Sequence, residues 1–76
     1  MYINLSKRLK LIANEVKKGA KVADIGTDHA YIPIYLVQKN IADYAYACDI
    51  KEGPLLTAKE NIAAYGCDEK IETRLS

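Results

Sequence analysis

Three short apolar runs, Lys21 to Ile25, Tyr44 to Ile50 and Ile71 to Leu75, alternate with stretches of helical periodicity, and this alternation limits the fold more than any other feature. The first run is bounded by Gly19 and Gly26 and is too short for an independent helix, so it reads as a buried strand. The second is rich in tyrosine and the third alternates apolar with polar residues, as strands do. Before the first strand, Leu5, Leu9, Ile12, Ala13 and Val16 share one helical face, which predicts a helix over 5–17 capped by Asn4 or Ser6, with Gly19 past its end. Ile32, Tyr35, Leu36 and Val37 predict a second helix from near Ala30 toward Asn40, with Pro33 in its first turn. Gly53 and Pro54 open a third, in which Leu55, Ala58, Ile62 and Tyr65 face inward and Gly66 follows the end. The order α-β-α-β-α-β is that of a right-handed parallel sheet, the first βαβαβ half of a Rossmann-like α/β fold preceded by a helix.

A chain of 76 residues holds one small domain at most and buries only about 60% of its unfolded surface. The expectation is a single partial domain, with a basic helix and turn over 1–18 and the βαβαβ half over 19–76. Its composition, 50% apolar and 28% charged, is that of a folded chain rather than a disordered one. No apolar run approaches the roughly 18 residues of a membrane span, and the charged N-terminus is unlike a signal peptide, so a cytoplasmic protein without membrane contact is expected. Cys48 and Cys67 are too few for a disulfide scaffold and read as buried thiols. The net charge of +1 hides a division: residues 1–21 carry six basic side chains against one acidic, and the remainder five against nine. Lys7, Arg8 and Lys10 are therefore candidate contacts for a polyanion, although a solvated helix face has the same composition.

In an open parallel sheet the ligand sits outside the carboxyl ends of the strands, which singles out Asp24 to Tyr31 and Asp49. A dinucleotide fingerprint needs Gly-x-Gly-x-x-Gly at the first of these places, whereas this chain has Gly26-Thr27-Asp28. A carboxylate on Asp28 would repel a pyrophosphate at short range, which disfavours NAD and FAD. A ligand with positive charge and no phosphate suits the same residues, and S-adenosylmethionine meets that description. Asp24 and Asp28 would flank its methionine end, Gly26, Thr27 and His29 would line the loop, and the free N–H groups of the next helix would take its carboxylate. Asp49 follows Gly26 by 23 residues, close to the roughly 20 at which an acid accepts bonds from a ribose diol. Together with the adjacent Ile50 it is expected at the adenosine. Turn and capping roles for the same aspartates remain open.

Three stretches carry a family likeness: Ser6-Lys7-Arg8-Leu9, Ala23-Asp24-Ile25-Gly26-Thr27-Asp28-His29-Ala30-Tyr31-Ile32-Pro33, and Gly53-Pro54-Leu55 with Ala58 and Asn61. They resemble the N-terminal part of a bacterial tRNA adenine-N1 methyltransferase, the family acting on tRNA position twenty-two. The resemblance implies S-adenosylmethionine as donor, a Rossmann-like catalytic domain and tRNA as substrate. Gly26 to His29 would line the donor's methionine side and Asp49 would hold its ribose. That family's acidic loop after strand 3, its glycine-rich segment after strand 4 and its helical extension have no counterpart here, so these 76 residues alone are expected to be inactive.

His29 and Tyr31 are the weak candidates for a direct role in chemistry. An imidazole titrates near neutral pH and can accept a proton, though a positioning or capping role is the commoner use. Tyr31 could stack on a base, but Tyr35, Tyr44, Tyr46 and Tyr65 show that the chain also packs with tyrosine. A non-catalytic adenosyl-ligand module on the same fold is the alternative reading, followed by a nicotinamide-dependent oxidoreductase. Strand 1 lies in the middle of a complete sheet of this kind, so here its edge is expected to be unpaired, with Val22, Ala23 and Ile25 uncovered and self-association the consequence.

Overall fold

The computed structural model describes residues 2–27 and 29–76. Six elements follow in the expected order: α1 (Lys7–Ala13), β1 (Ala20–Ile25), α2 (Tyr31–Gln38), β2 (Ala42–Asp49), α3 (Glu52–Ala64) and β3 (Ile71–Leu75). The strands form one parallel sheet in the order β1-β2-β3. The α/β half-sheet expected from the sequence is therefore present, and β1 occupies an edge.

Register divides the sheet into two unlike faces. Val22 and Asp24 stand beside Ala45 and Ala47, which stand beside Ile71 and Thr73. On this face Ala45, Ala47 and Ile71 join Ile34, Leu36, Ala58 and Ile62 in the core, beneath the helices. Alanine at the centre of β2 lets α2 and α3 approach the strand closely, which is how so short a chain excludes water from a continuous core. On the other face lie Ala23 and Ile25, then Tyr44, Tyr46 and Cys48, then Glu72 and Arg74. Side chains cover part of this face themselves. The Arg74 guanidinium lies 4.3 Å from the Tyr46 ring centroid, and Tyr44 meets Tyr46 edge to face at 5.3 Å. Arg74 Nε bonds Glu72 Oε2 at 2.9 Å, which holds the Glu72 carboxyl below its ordinary range, and the Tyr44 hydroxyl donates to the other oxygen of Glu72. Cys48 and Cys67 are both buried free thiols, as expected.

Several boundaries differ from the sequence expectation. The helix predicted over 5–17 spans only Lys7–Ala13, with the Ser6 hydroxyl accepting from Leu9 N–H at its start. Beyond Asn14 the chain tightens into i→i+3 bonds, Glu15 to Ile12 and Val16 to Ala13, which end the helix before its apolar periodicity does. Ile12, expected on the inward face, is 49% exposed. Gly19 does have a left-handed φ of 85°, but it serves the entry to β1 rather than the end of α1, and its N–H donates to Ile41 O. Ile50 lies outside β2, which ends at Asp49. Val22, expected to be uncovered, packs against the core, because β1 turns that residue toward the helices; Ala23 and Ile25 are the exposed ones.

Helix α2 buries five consecutive residues, Pro33 to Val37, because it is enclosed on more than one side. The sheet lies beneath it, α1 packs against it, and the N-terminal segment closes over its end. There Ile3 N–H donates to Gln38 Oε1 at 2.8 Å, and Lys39 Nζ lies near the rings of both Tyr2 and Tyr35. Pro33 and Pro54 each stand third in their helices, among the N–H positions that have no intrahelical acceptor. Among the described residues no helix is long and apolar enough to cross a membrane.

Candidate functional site

β1 ends in Asp24 and Ile25, and Gly26 turns the chain with φ 70°, a conformation that a Cβ would strain. The loop then crosses to the end of β2, where Thr27 N–H donates to Cys48 O at 2.9 Å. Thr27 is buried, and its hydroxyl donates to Asp24 Oδ2 at 2.9 Å. Burial raises the Asp24 pKa above its ordinary value, and the bond from Thr27 opposes that shift in part. A partly desolvated carboxylate of this kind is favoured by a cationic ligand, which restores the charge balance that burial disturbs.

Ala30 caps the start of α2 in the left-handed region, at φ 60° and ψ 26°, and is completely buried. On either side of it the rings of His29 and Tyr31 stack at 4.9 Å, 12° from parallel. Tyr31 is 40% exposed, at the rim rather than in the core. The His29 carbonyl accepts from Asn61 Nδ2 of α3 at 2.9 Å, a contact that ties the loop to the third helix.

Asp49 stands at the end of β2, one residue beyond the Cys48 that pairs with Ile25. Its Oδ1 accepts from Lys51 N–H at 3.0 Å, so it also organises the entry to α3. Ile50 is 75% exposed beside it. Asp28 lies outside the described residues.

A cleft of about 260 Å³ is bounded by Leu9, Asp24, Gly26, Thr27, His29, Tyr31 and Ile32. Of the residues singled out in the sequence, Asp24, Gly26, Thr27, His29 and Tyr31 line this one cleft. Asp49 and Ile50 do not line this cleft. Leu9 and Ile32 were missed as site residues, because helical periodicity assigns both to packing. Leu9 brings α1 to the cleft, and the exposed Lys7, Arg8 and Lys10 flank it in sequence on that helix. The volume is below the roughly 300–1,000 Å³ of a site for a drug-sized ligand, as suits one wall of a larger site.

A parallel half-sheet with a glycine turn after β1, an acid at the end of β2 and a cleft outside the carboxyl ends defines a Rossmann-like ligand-binding protein. Residues 5–76 match the methyltransferase domain family. The chain belongs to that family. It is 43% identical over 72 residues to the tRNA (adenine(22)-N(1))-methyltransferase of Bacillus subtilis, covering 95% of this chain and 30% of that protein. The structure of M. capricolum TrmK in complex with S-adenosyl-homocysteine is 50% identical, with a TM-score of 0.90 over 95% of this chain and 32% of that one. A Streptococcus agalactiae protein of the NADB-Rossmann superfamily is 45% identical, with a TM-score of 0.96 over all of this chain and 34% of its own. The likeness read from the sequence is borne out, and the chain spans about a third of the length of these relatives.

Proposed function

We propose that this chain is the donor-binding half of an S-adenosylmethionine-dependent methyltransferase whose whole form methylates N1 of an adenine in tRNA. The observation that carries the reading is the cleft at the end of β1, where the partly buried Asp24 is bonded to Thr27 beside the Gly26 turn. Relatives at 43% and 50% identity support it, one named for this tRNA reaction and one in complex with the donor's product. The residues present suit the donor. Asp24 favours the cationic methionine end, the first N–H groups of α2 suit its carboxylate, and Asp49 suits a ribose diol. When bound, the donor supplies an electrophilic methyl group on a sulfonium.

Adenine N1 carries a lone pair and no proton, so its methylation requires no general base. His29 and Tyr31 are accordingly assigned to orientation at the cleft rim rather than to proton transfer, and the rate gain to alignment of the reacting atoms. Lys7, Arg8 and Lys10 meet tRNA phosphates, and the enzyme works in the cytoplasm with that substrate. Self-association is part of the same proposal: the outer edge of β1 has no partner among the described residues, and Ala23 and Ile25 of that strand are exposed on the open face of the sheet. Calorimetric titration with S-adenosylhomocysteine and with NAD tests the donor reading. Binding of the first alone supports it, and binding of NAD alone overturns it in favour of the nicotinamide alternative. In the whole enzyme, donor binding without methyl transfer to tRNA would support the non-catalytic module instead.

A further inference from the structure

The peptide plane between His29 and Ala30 is held at both ends. Its carbonyl oxygen accepts from Asn61 Nδ2 at 2.9 Å, and its N–H donates to Thr27 O at 3.0 Å. The plane leads into Ala30, whose left-handed φ of 60° is unfavourable for any residue with a Cβ. Half a turn of this plane would change ψ of His29 and φ of Ala30 together. Ala30 would then reach negative φ, where its Cβ is unhindered, while the chain on either side moved little.

The two bonds resist that rotation unequally. The bond to Thr27 lies within the loop and can shift with it. The bond from Asn61 comes from 32 positions away, on a helix anchored to the sheet by the fully or nearly fully buried Ala58 and Ile62. We propose that Asn61 is a positioning residue that locks the His29–Ala30 peptide in its strained orientation and so fixes the donor loop. The orientation matters because the plane's own N–H closes the turn onto Thr27 O, beside the bond that Thr27 makes to Asp24. It also sets how the stacked side chains of His29 and Tyr31 reach the cleft. Only a short amide does this. Aspartate would place a carboxylate oxygen against a carbonyl oxygen, and leucine has no donor. The effect on the donor rests on the function proposed above; the effect on the backbone does not.

The test compares the parent chain with Asn61→Asp and Asn61→Leu, each alone and combined with Ala30→Gly. The readouts are φ of residue 30 from the amide–Hα coupling and the intraresidue amide–Hα NOE by NMR, the melting temperature, and, in the whole enzyme, affinity for S-adenosylhomocysteine. Ala30 should move to negative φ in both single variants, with affinity reduced at least tenfold. Ala30→Gly should recover most of that loss, because glycine adopts left-handed φ without a clamp. Single variants that unfold but fold again with Ala30→Gly support the same conclusion. Retention of positive φ at Ala30 in both single variants overturns the proposal, and so does failure of Ala30→Gly to restore fold or affinity. A whole enzyme that in its parent form binds no S-adenosylhomocysteine removes the donor reading, while φ of residue 30 still decides the role of Asn61.

Discussion

The Thr27 hydroxyl and the Asp24 carboxylate are joined by a 2.9 Å bond at the point where β1 becomes the loop. The bond alone would lower the Asp24 pKa, yet burial outweighs it and the net shift is upward from 3.8. The folded chain therefore binds more protons than the unfolded chain between that value and the raised one. Stability should fall as pH rises through this window and level off above it. Asp24→Asn keeps an oxygen for Thr27 but cannot ionise, so it should remove this component of the pH dependence and stabilise the chain at neutral pH. Urea unfolding from pH 4 to 8 measures both; an unchanged pH profile in Asp24→Asn would rule out Asp24 as its source.

Asp49→Ala should weaken binding of S-adenosylhomocysteine to the whole enzyme by about 1–3 kcal/mol, the range for loss of a hydrogen bond to a charged acceptor. The same substitution removes the acceptor of Lys51 N–H, so its melting temperature should fall as well. Asp49→Asn separates the two effects by retaining an acceptor oxygen at the start of α3. An unchanged dissociation constant in Asp49→Ala would end the ribose assignment.

Reversing charge at Lys7, Arg8 and Lys10 should weaken tRNA binding by the whole enzyme and leave donor affinity alone. Counterion release scales with phosphate contacts, so loss of three should flatten the slope of log affinity against log salt by roughly 2 to 3. Glutamate at 7 and 8 also suits the first turn of α1, so the helix should survive the change. Equal slopes for parent and variant would leave these residues as a solvated face.

The 76-residue chain should self-associate through β1, with two-fold symmetry making the new strand pair antiparallel. Ala23→Lys places a charge at the exposed edge and should shift the population toward monomer. Light scattering over a dilution series checks both chains. A stable parent monomer at micromolar concentration would show that the half-sheet tolerates its open edge.

Much of this architecture was legible because each local signal agreed with its neighbours. Apolar runs of strand length, helical stripes and glycine punctuation led to the same six elements, and the Gly26 turn with Asp24 and Asp49 marked the carboxyl ends of the strands. Helix α1 was overextended because an apolar period records which residues could share a face. It does not record where the backbone changes from i→i+4 to i→i+3 bonding. Leu9 was assigned to the core for a similar reason: burial against a helix and burial against a ligand cleft leave the same apolar residue. Asn61 is adjacent in helical register to the inward Ala58 and Tyr65, a polar residue beside an apolar stripe, and that signal was visible. Its partner was not.

The sequence by itself determined the order of elements, the parallel sheet, and the residue types offered at the strand ends, since these depend on periodicity and turn chemistry within short windows. Tertiary structure alone decided which face of each strand meets the helices, that Leu9 reaches the cleft, and that the His29 carbonyl is held from α3. Those outcomes depend on contacts between residues far apart in the chain, which no local pattern encodes. They follow only once the close approach allowed by Ala45 and Ala47 has set where α2 and α3 lie on the sheet.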